Sequence, residues 1–161
     1  MKKEFKKRTY KNIGQFFSDM KFMLSNKDEV HQAMNNGLVD DAFRERLMMA
    51  VTSVNGCRYC SYVHSREALK AGVSAEEIAA MTECEFGTCP DEEQPGLLYA
   101  QHWAEMNAQP DPDARNRVLD IYGEEKLNTI ELALRMIRMG NLLGNSFDKV
   151  LFTLSFGRLG E

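Results

Sequence analysis

No run of apolar residues in the chain comes near the ~18 needed to cross a bilayer, so no membrane-spanning helix is expected. Prolines number only four in 161 residues. Gly/Ser-rich linkers and repeats of fixed period are absent as well, which argues for a single domain. Strict apolar/polar alternation is missing, so strands have little support. There is no excess of positive charge either: 20 Lys and Arg stand against 24 Asp and Glu, a net charge of −4. That balance excludes a nucleic-acid binder working through a general basic field. Six of the first eleven residues are basic all the same, Lys2, Lys3, Lys6, Lys7, Arg8 and Lys11. Over residues 1–11 the expectation is a solvated, mobile arm. No apolar signal core follows it, and the expected setting is cytoplasmic.

What is present is helical periodicity. Ile13, Phe16, Phe17, Met20 and Met23 recur at three- and four-residue spacing, predicting a helix over residues 12–34 that the Asn35-Asn36-Gly37 run stops. Asp40 or Asp41 is a natural N-cap for a second helix running to Asn55-Gly56. Within it, Leu47 to Val51 leave no polar face, so burial on most sides is expected. A third helix is predicted over residues 57–71, closed by Gly72. Ser74 with Glu77 reads as a capping box opening a fourth. After a turn-rich loop over residues 84–95, periodicity resumes through Leu97, Trp103 and Met106. Asp111-Pro112 opens a further helix that Gly123 ends. Leu127, Ile130, Leu134 and Ile137 mark another, with Gly140 and Gly144 interrupting before Phe147, Val150, Leu151 and Leu154. Residues 150–156 also suit a strand, but helix is favoured because nothing supplies a pairing partner. The fold class expected is all-α. The ten methionines, Met48, Met49, Met136 and Met139 among them, are expected to fill core and interface gaps.

A chain of this length buries enough surface to fold without disulfides or structural metal. Its four cysteines therefore ask for a chemical explanation. Cys57-Arg58-Tyr59-Cys60 is followed by His64. At 3.6 residues per turn Cys57, Cys60, His64, Ala68 and Ala71 share about 80° of the helix surface. Tyr59, Tyr62, Val63 and Leu69 lie opposite and are expected to be the packing face. Residues i and i+3 have Cβ atoms about 5–6 Å apart, near enough for Cys57 and Cys60 to close a disulfide after modest adjustment. Helical side chains lean toward the N-terminus, so His64 is directed at Cys60, its i−4 neighbour. Cys60 is thus the candidate attacking thiolate with His64 as general base. Cys57, at the positive end of the helix, is the candidate resolving thiol. Such dithiol chemistry calls for no cofactor and no metal.

Glu45, then Cys57-Arg58-Tyr59-Cys60 twelve residues on, then His64, Ala68-Leu69-Lys70-Ala71-Gly72 and Ser74-Ala75-Glu76-Glu77-Ile78 together resemble the core of the carboxymuconolactone decarboxylase superfamily. The match is to its alkylhydroperoxidase-D-like (AhpD-like) branch, and it is strong over residues 43–81. Asn141 and Asn145 are compatible with the same fold. The resemblance implies a single-domain, AhpD-like helical bundle assembling into trimers or hexamers. It also implies a thiol-dependent peroxidase or disulfide reductase. In that pattern Cys60 attacks, Cys57 resolves, and His64 with Glu45 relays the proton. The substrate would be a disulfide or hydroperoxide, and the reductant an external dithiol or thioredoxin-like protein. Tyr59 departs from the branch, which has a second His there.

Glu45 on its own is ambiguous, because Arg44 and Arg46 flank it as they would a solvated charge. Its face nevertheless leads into the apolar run from Leu47. The apolar C-terminal stripe independently suggests a homo-oligomer. Cys84 and Cys89 are read as poor nucleophiles, one near a helix C-terminus and one beside Asp91, although the intervening Gly87 would let them pair. Two alternatives stand beside the redox reading. One is a lactone decarboxylase, which has no use for paired cysteines, and the other is a non-enzymatic module with zinc on Cys57, Cys60, Cys84 and Cys89.

Overall fold

The computed structural model describes residues 4–160, and over them all regular structure is helical. Seven helices follow in chain order: α1 Ile13–Ser25, α2 Lys27–Asn35, α3 Asp41–Asn55, α4 Arg58–Lys70, α5 Ala75–Thr82, α6 Gln94–Glu105 and α7 Pro112–Leu154. The all-α expectation holds, and residues 150–154 are helix, not strand. Among the described residues no helix is long and apolar enough to cross a membrane.

The centre of the bundle is α3, on which α4, α5, α6 and α7 all pack. Its apolar run dictates this. Leu47, Met49, Ala50 and Val51 are each 0–1% exposed, a burial that only neighbours on several sides provide. Leu97 and Trp103 from α6, Met81 from α5, and Leu127, Ile130 and Leu134 from α7 complete the core. Met48 and Met49 lie within it as expected. Asp40 caps α3, its carboxylate accepting from the Phe43 N–H at 2.8 Å. Gly56 ends the helix in the left-handed region at φ 72°, a geometry that costs a side-chain-bearing residue. That turn delivers the chain directly to Cys57.

Three boundaries differ from the sequence reading. The helix predicted over residues 12–34 is two helices, divided at Asn26, whose φ and ψ of −113° and 23° break the α pattern. Its side-chain amide and backbone N–H both donate to the Phe22 carbonyl, at 2.7 and 3.0 Å. An Asn that turns on its own backbone in this way competes with helix continuation. Gly140 and Gly144 do not interrupt α7. Gly123 does, with φ 76° and ψ 166°, a region open essentially to glycine alone.

The basic N-terminal segment is not a free arm where it is described. Lys7 Nζ contacts the Asp148 carboxylate at 2.7 Å, and the Arg8 guanidinium donates to the Ala104 carbonyl at 2.5 Å. Arg8 N–H donates to Asn55 O at 3.2 Å, and Asn145 Nδ2 donates to both the Arg8 and Asn55 carbonyls at 2.8 Å. Specific acceptors on three helices hold the strap down, a pattern that charge counting does not reveal. Lys2 and Lys3 lie outside the described residues.

Gly123→Ala forces a Cβ into that glycine-only conformation and is expected to cost about 1–3 kcal/mol of stability. Urea unfolding with an unchanged m-value checks it; a variant as stable as wild type would show that the break tolerates a side chain.

Candidate dithiol site

The site begins at the α3–α4 turn. Cys57 is the N-cap of α4, and its Sγ accepts from the Cys60 backbone N–H at 3.3 Å. The cap places residues 57 and 60 on one side of the first turn with their Cα atoms 5.3 Å apart, and the two sulfurs form a disulfide. This is the pairing that the i, i+3 spacing anticipated. Both cysteines are buried, at 3% and 8% exposure. The close neighbour on the far side is α7. A Cβ at Gly144 would lie in contact with Cys57 Sγ, at 3.4 Å, so the glycine read as a helix interruption instead marks where α7 packs on the sulfur.

One turn beyond Cys60, His64 Nδ1 lies 2.7 Å from Glu45 Oε2. Glu45 is not the solvated charge that its arginine neighbours suggested; it is 7% exposed on α3. A buried carboxylate needs a partner, and the imidazole supplies one. With Nδ1 engaged, Nε2 is left as the nitrogen free to exchange a proton, the usual way a carboxylate fixes a histidine's tautomer and orientation. The structure thus pairs Cys57 with Cys60 at the start of α4, and His64, one turn further along α4, with Glu45 of the packed helix α3.

The face of α4 expected to pack is largely outside. Tyr59, Tyr62 and Leu69 are 75%, 61% and 52% exposed. The stripe that the cysteines, His64 and Ala68 share is the one turned to α3, so the rest of this amphipathic helix faces away from the body.

Sequence reasoning missed a second buried cluster. Arg46, next to Glu45, is 8% exposed; its guanidinium meets Glu77 of α5 at 2.5 Å and Glu93 at 3.0 Å. The capping box expected at Ser74 is therefore half formed. Ser74 Oγ accepts from the Glu77 N–H at 3.1 Å, while the Glu77 carboxylate turns to Arg46. Burial pushes the Glu93 carboxyl up, against the pull of Arg46. The available signal was the apolar run directly after Arg46. Asn141 and Asn145, both fully buried, form a further polar chain. Asn55 donates to Asn141 at 3.1 Å, and Asn141 to Thr52 at 3.1 Å.

Cys84 and Cys89 are free thiols. Burial, with Glu105 and Glu83 nearby, raises Cys84. Burial and the Glu77 carboxylate, which the thiol faces, push Cys89 up to about 12. Neither is a ready thiolate, in line with the sequence reading, but Cys89 owes this first to burial and then to Glu77 and Glu93, not to Asp91. Among the described residues no three potential ligand side chains converge on a metal-binding geometry.

The central helix of the bundle thus lends a carboxylate to the helix that carries the CxxC pair and His64. Residues 23–87 match the carboxymuconolactone decarboxylase family. The chain is also similar to the uncharacterized protein YdfG of Bacillus subtilis (strain 168), 29% identical over 102 residues that cover 61% of this chain and 68% of that protein. No solved structure gives a significant match. Family and disulfide together fit a redox role.

The raised Cys89 thiol sets an alkaline limit. A group whose folded pKa lies above its unfolded value stabilises the fold fully below the unfolded value and loses that contribution as pH rises through the folded one. Stability supplied by the protonated thiol should therefore drain between about 9 and about 12. Chemical denaturation across that range should show a shallower alkaline decline for Cys89→Ala than for wild type; equal slopes would remove Cys89 as the cause.

Proposed function

We propose that this protein is a thiol–disulfide oxidoreductase that cycles Cys57 and Cys60 between dithiol and disulfide, reducing disulfides or alkyl hydroperoxides. The observation that supports it most is the disulfide at the start of α4 with the His64–Glu45 contact one turn further along. In the reduced protein His64 Nε2 takes the Cys60 proton while Glu45 stabilises the resulting imidazolium. The Cys60 thiolate then attacks. With a disulfide, one substrate sulfur leaves as a thiol and a mixed disulfide remains on Cys60. With a hydroperoxide, an alcohol leaves and a sulfenic acid remains. Cys57 displaces the bound thiol or water and closes the disulfide. An external dithiol or thioredoxin-like protein returns two electrons.

Tyr59 is three-quarters exposed, and a solvated phenol there adds no second imidazole to the relay. Disulfide reduction is accordingly the leading activity. Lactone decarboxylation leaves the disulfide without a role, and a four-thiolate zinc site is at odds with two of its sulfurs being bonded to each other. A cytoplasmic setting suits the cycle, because thiol reductants are maintained there.

We further propose a homo-oligomer of trimer or hexamer type. Leu143, Phe147, Val150 and Leu154 are 50–74% exposed along one part of α7, more contiguous apolar surface than an isolated subunit usually carries. Sedimentation at micromolar concentration should give a trimer or larger, and a clean monomer would refute subunit burial of that face.

For the chemistry, Cys60→Ser should abolish turnover of a disulfide dye, whereas Cys57→Ser should react once and stop as a mixed disulfide. His64→Ala should lose roughly 10²- to 10⁴-fold in rate. Glu45→Gln should slow the reaction while leaving the disulfide able to form. Stopped-flow and peptide mapping check these outcomes; the reverse order of the two cysteine variants would exchange their roles.

A further inference from the structure

Away from the cysteines, a cavity of about 180 Å³ lies between α1, the turn over residues 107–109 that follows α6, and α7. Its lining is of two kinds. Trp103, Phe22, Met23 and Met139 are apolar, and Trp103 is only 2% exposed. Arg135, Arg138, Asn107, Gln109 and Gln15 carry N–H donors, and Asp19 is the single carboxylate. That carboxylate is engaged: Arg138 Nη1 donates to Asp19 Oδ2 at 2.9 Å, and the Tyr10 hydroxyl donates to the same oxygen at 3.1 Å. The ion pair uses one corner of the guanidinium fork, which carries five N–H groups. No other protein acceptor meets the Arg138 side chain among the described residues. Arg138 is 7% exposed and lines the cavity, so the rest of its fork takes its acceptor from whatever fills that space. Arg135, one turn earlier, brings a second positive charge, with its guanidinium 4.7 Å from the Phe22 ring centroid. Such stacking occupies a face of the guanidinium and leaves its in-plane N–H groups available. Glu131, a turn before it on α7, is held by Arg115, and Arg135 makes no ion pair among the described residues. Two guanidinium groups against one carboxylate make the cavity positive in a chain whose net charge is −4. Its turn is also fixed in advance. Asn107 and Ala108 lie in the left-handed region at φ 54° and 65°, their N–H groups bonded to the Ala104 and Trp103 carbonyls at 3.0 and 2.9 Å.

We propose that this cavity binds a small organic carboxylate, with its charged end on Arg135 and the unengaged edge of Arg138 and its apolar body against Trp103 and Met139. A planar guanidinium fork matches the two oxygens of a carboxylate, and Asp19 keeps its own corner of Arg138 while the ligand takes another. The volume is below the ~300–1,000 Å³ of pockets for drug-sized ligands, which limits the body to roughly one ring. None of Cys57, Cys60, His64 and Glu45 lines the cavity, so this site and the redox reading stand independently.

The chain has a single tryptophan, and because it lines the cavity its emission reports on occupancy there. The full-length protein is titrated with benzoate, benzylamine and inorganic phosphate, following Trp103 emission and the calorimetric heat together. Benzoate should saturate both signals with a Kd on the order of 1 mM or tighter. Benzylamine, with the ring but the opposite charge, and phosphate, with the charge but no apolar body, should each bind at least about tenfold more weakly. Arg135 and Gln109 are both exposed, so substitution there leaves the core intact, which unchanged thermal unfolding verifies. Arg135→Gln, and Gln109→Glu with its added carboxylate, should each weaken benzoate roughly tenfold. No saturation by benzoate, or an affinity indifferent to both variants, overturns the site. Equal binding of benzylamine overturns the carboxylate preference, and equal binding of phosphate overturns the apolar half. Heat without a change in Trp103 emission places the ligand elsewhere and overturns the cavity.

Discussion

Two adjacent charges in a helix buried along most of its length organise this molecule. Desolvating an ion without a partner is among the most expensive things a fold can do, and α3 buries Glu45 and Arg46 one after the other. Each must be met from a different direction, because consecutive helical residues point about 100° apart. Glu45 recruits His64 from α4. Arg46 recruits Glu77 from α5 and Glu93 from the entry to α6. Removing one partner from a buried pair typically costs about 3–5 kcal/mol, so these contacts fix the positions of three elements around α3 at once. One of the two arrangements lies a turn from the disulfide, and the other ties α3 to α5 and the entry to α6.

That division explains why Cys89 differs so much from Cys57 and Cys60, although all three are buried. Cys89 sits on the structural side, facing carboxylates that hold its proton in place. Cys57 and Cys60 sit at the opening turn of α4, against a glycine of α7, and are bonded to each other.

Periodicity carried the sequence a long way. The CxxC-His stripe needs only the helical repeat, and the disulfide follows from it. The partnership of Glu45 with His64 spans nineteen residues and two helices, so spacing alone could not show it; the family resemblance did. Arg46 was lost because an arginine on a helix is normally solvated, and Glu77 because a Glu three residues after Ser has a perfectly good local use. In each case a tertiary partner outbid a local one. Tyr59, Tyr62 and Leu69 failed in the opposite sense: an apolar face was read as packed, and in the single chain it is not. The split at Asn26 had no glycine or proline to announce it, whereas the break at Gly123 did.

The strap formed by Lys7 and Arg8 joins partners 137 and 141 residues apart, at Asn145 and Asp148. Contacts at such separation contribute little early in folding, when local helices have formed and distant segments have not yet met. During synthesis the consequence is stricter. Lys7 and Arg8 lack part of their seat until α7, made more than a hundred residues later, has followed them out, and that seat is beside the Asn55 carbonyl, at the turn leading into the two cysteines. The turn is therefore pinned from this side only once α7 is in place, well after the two cysteines have been made.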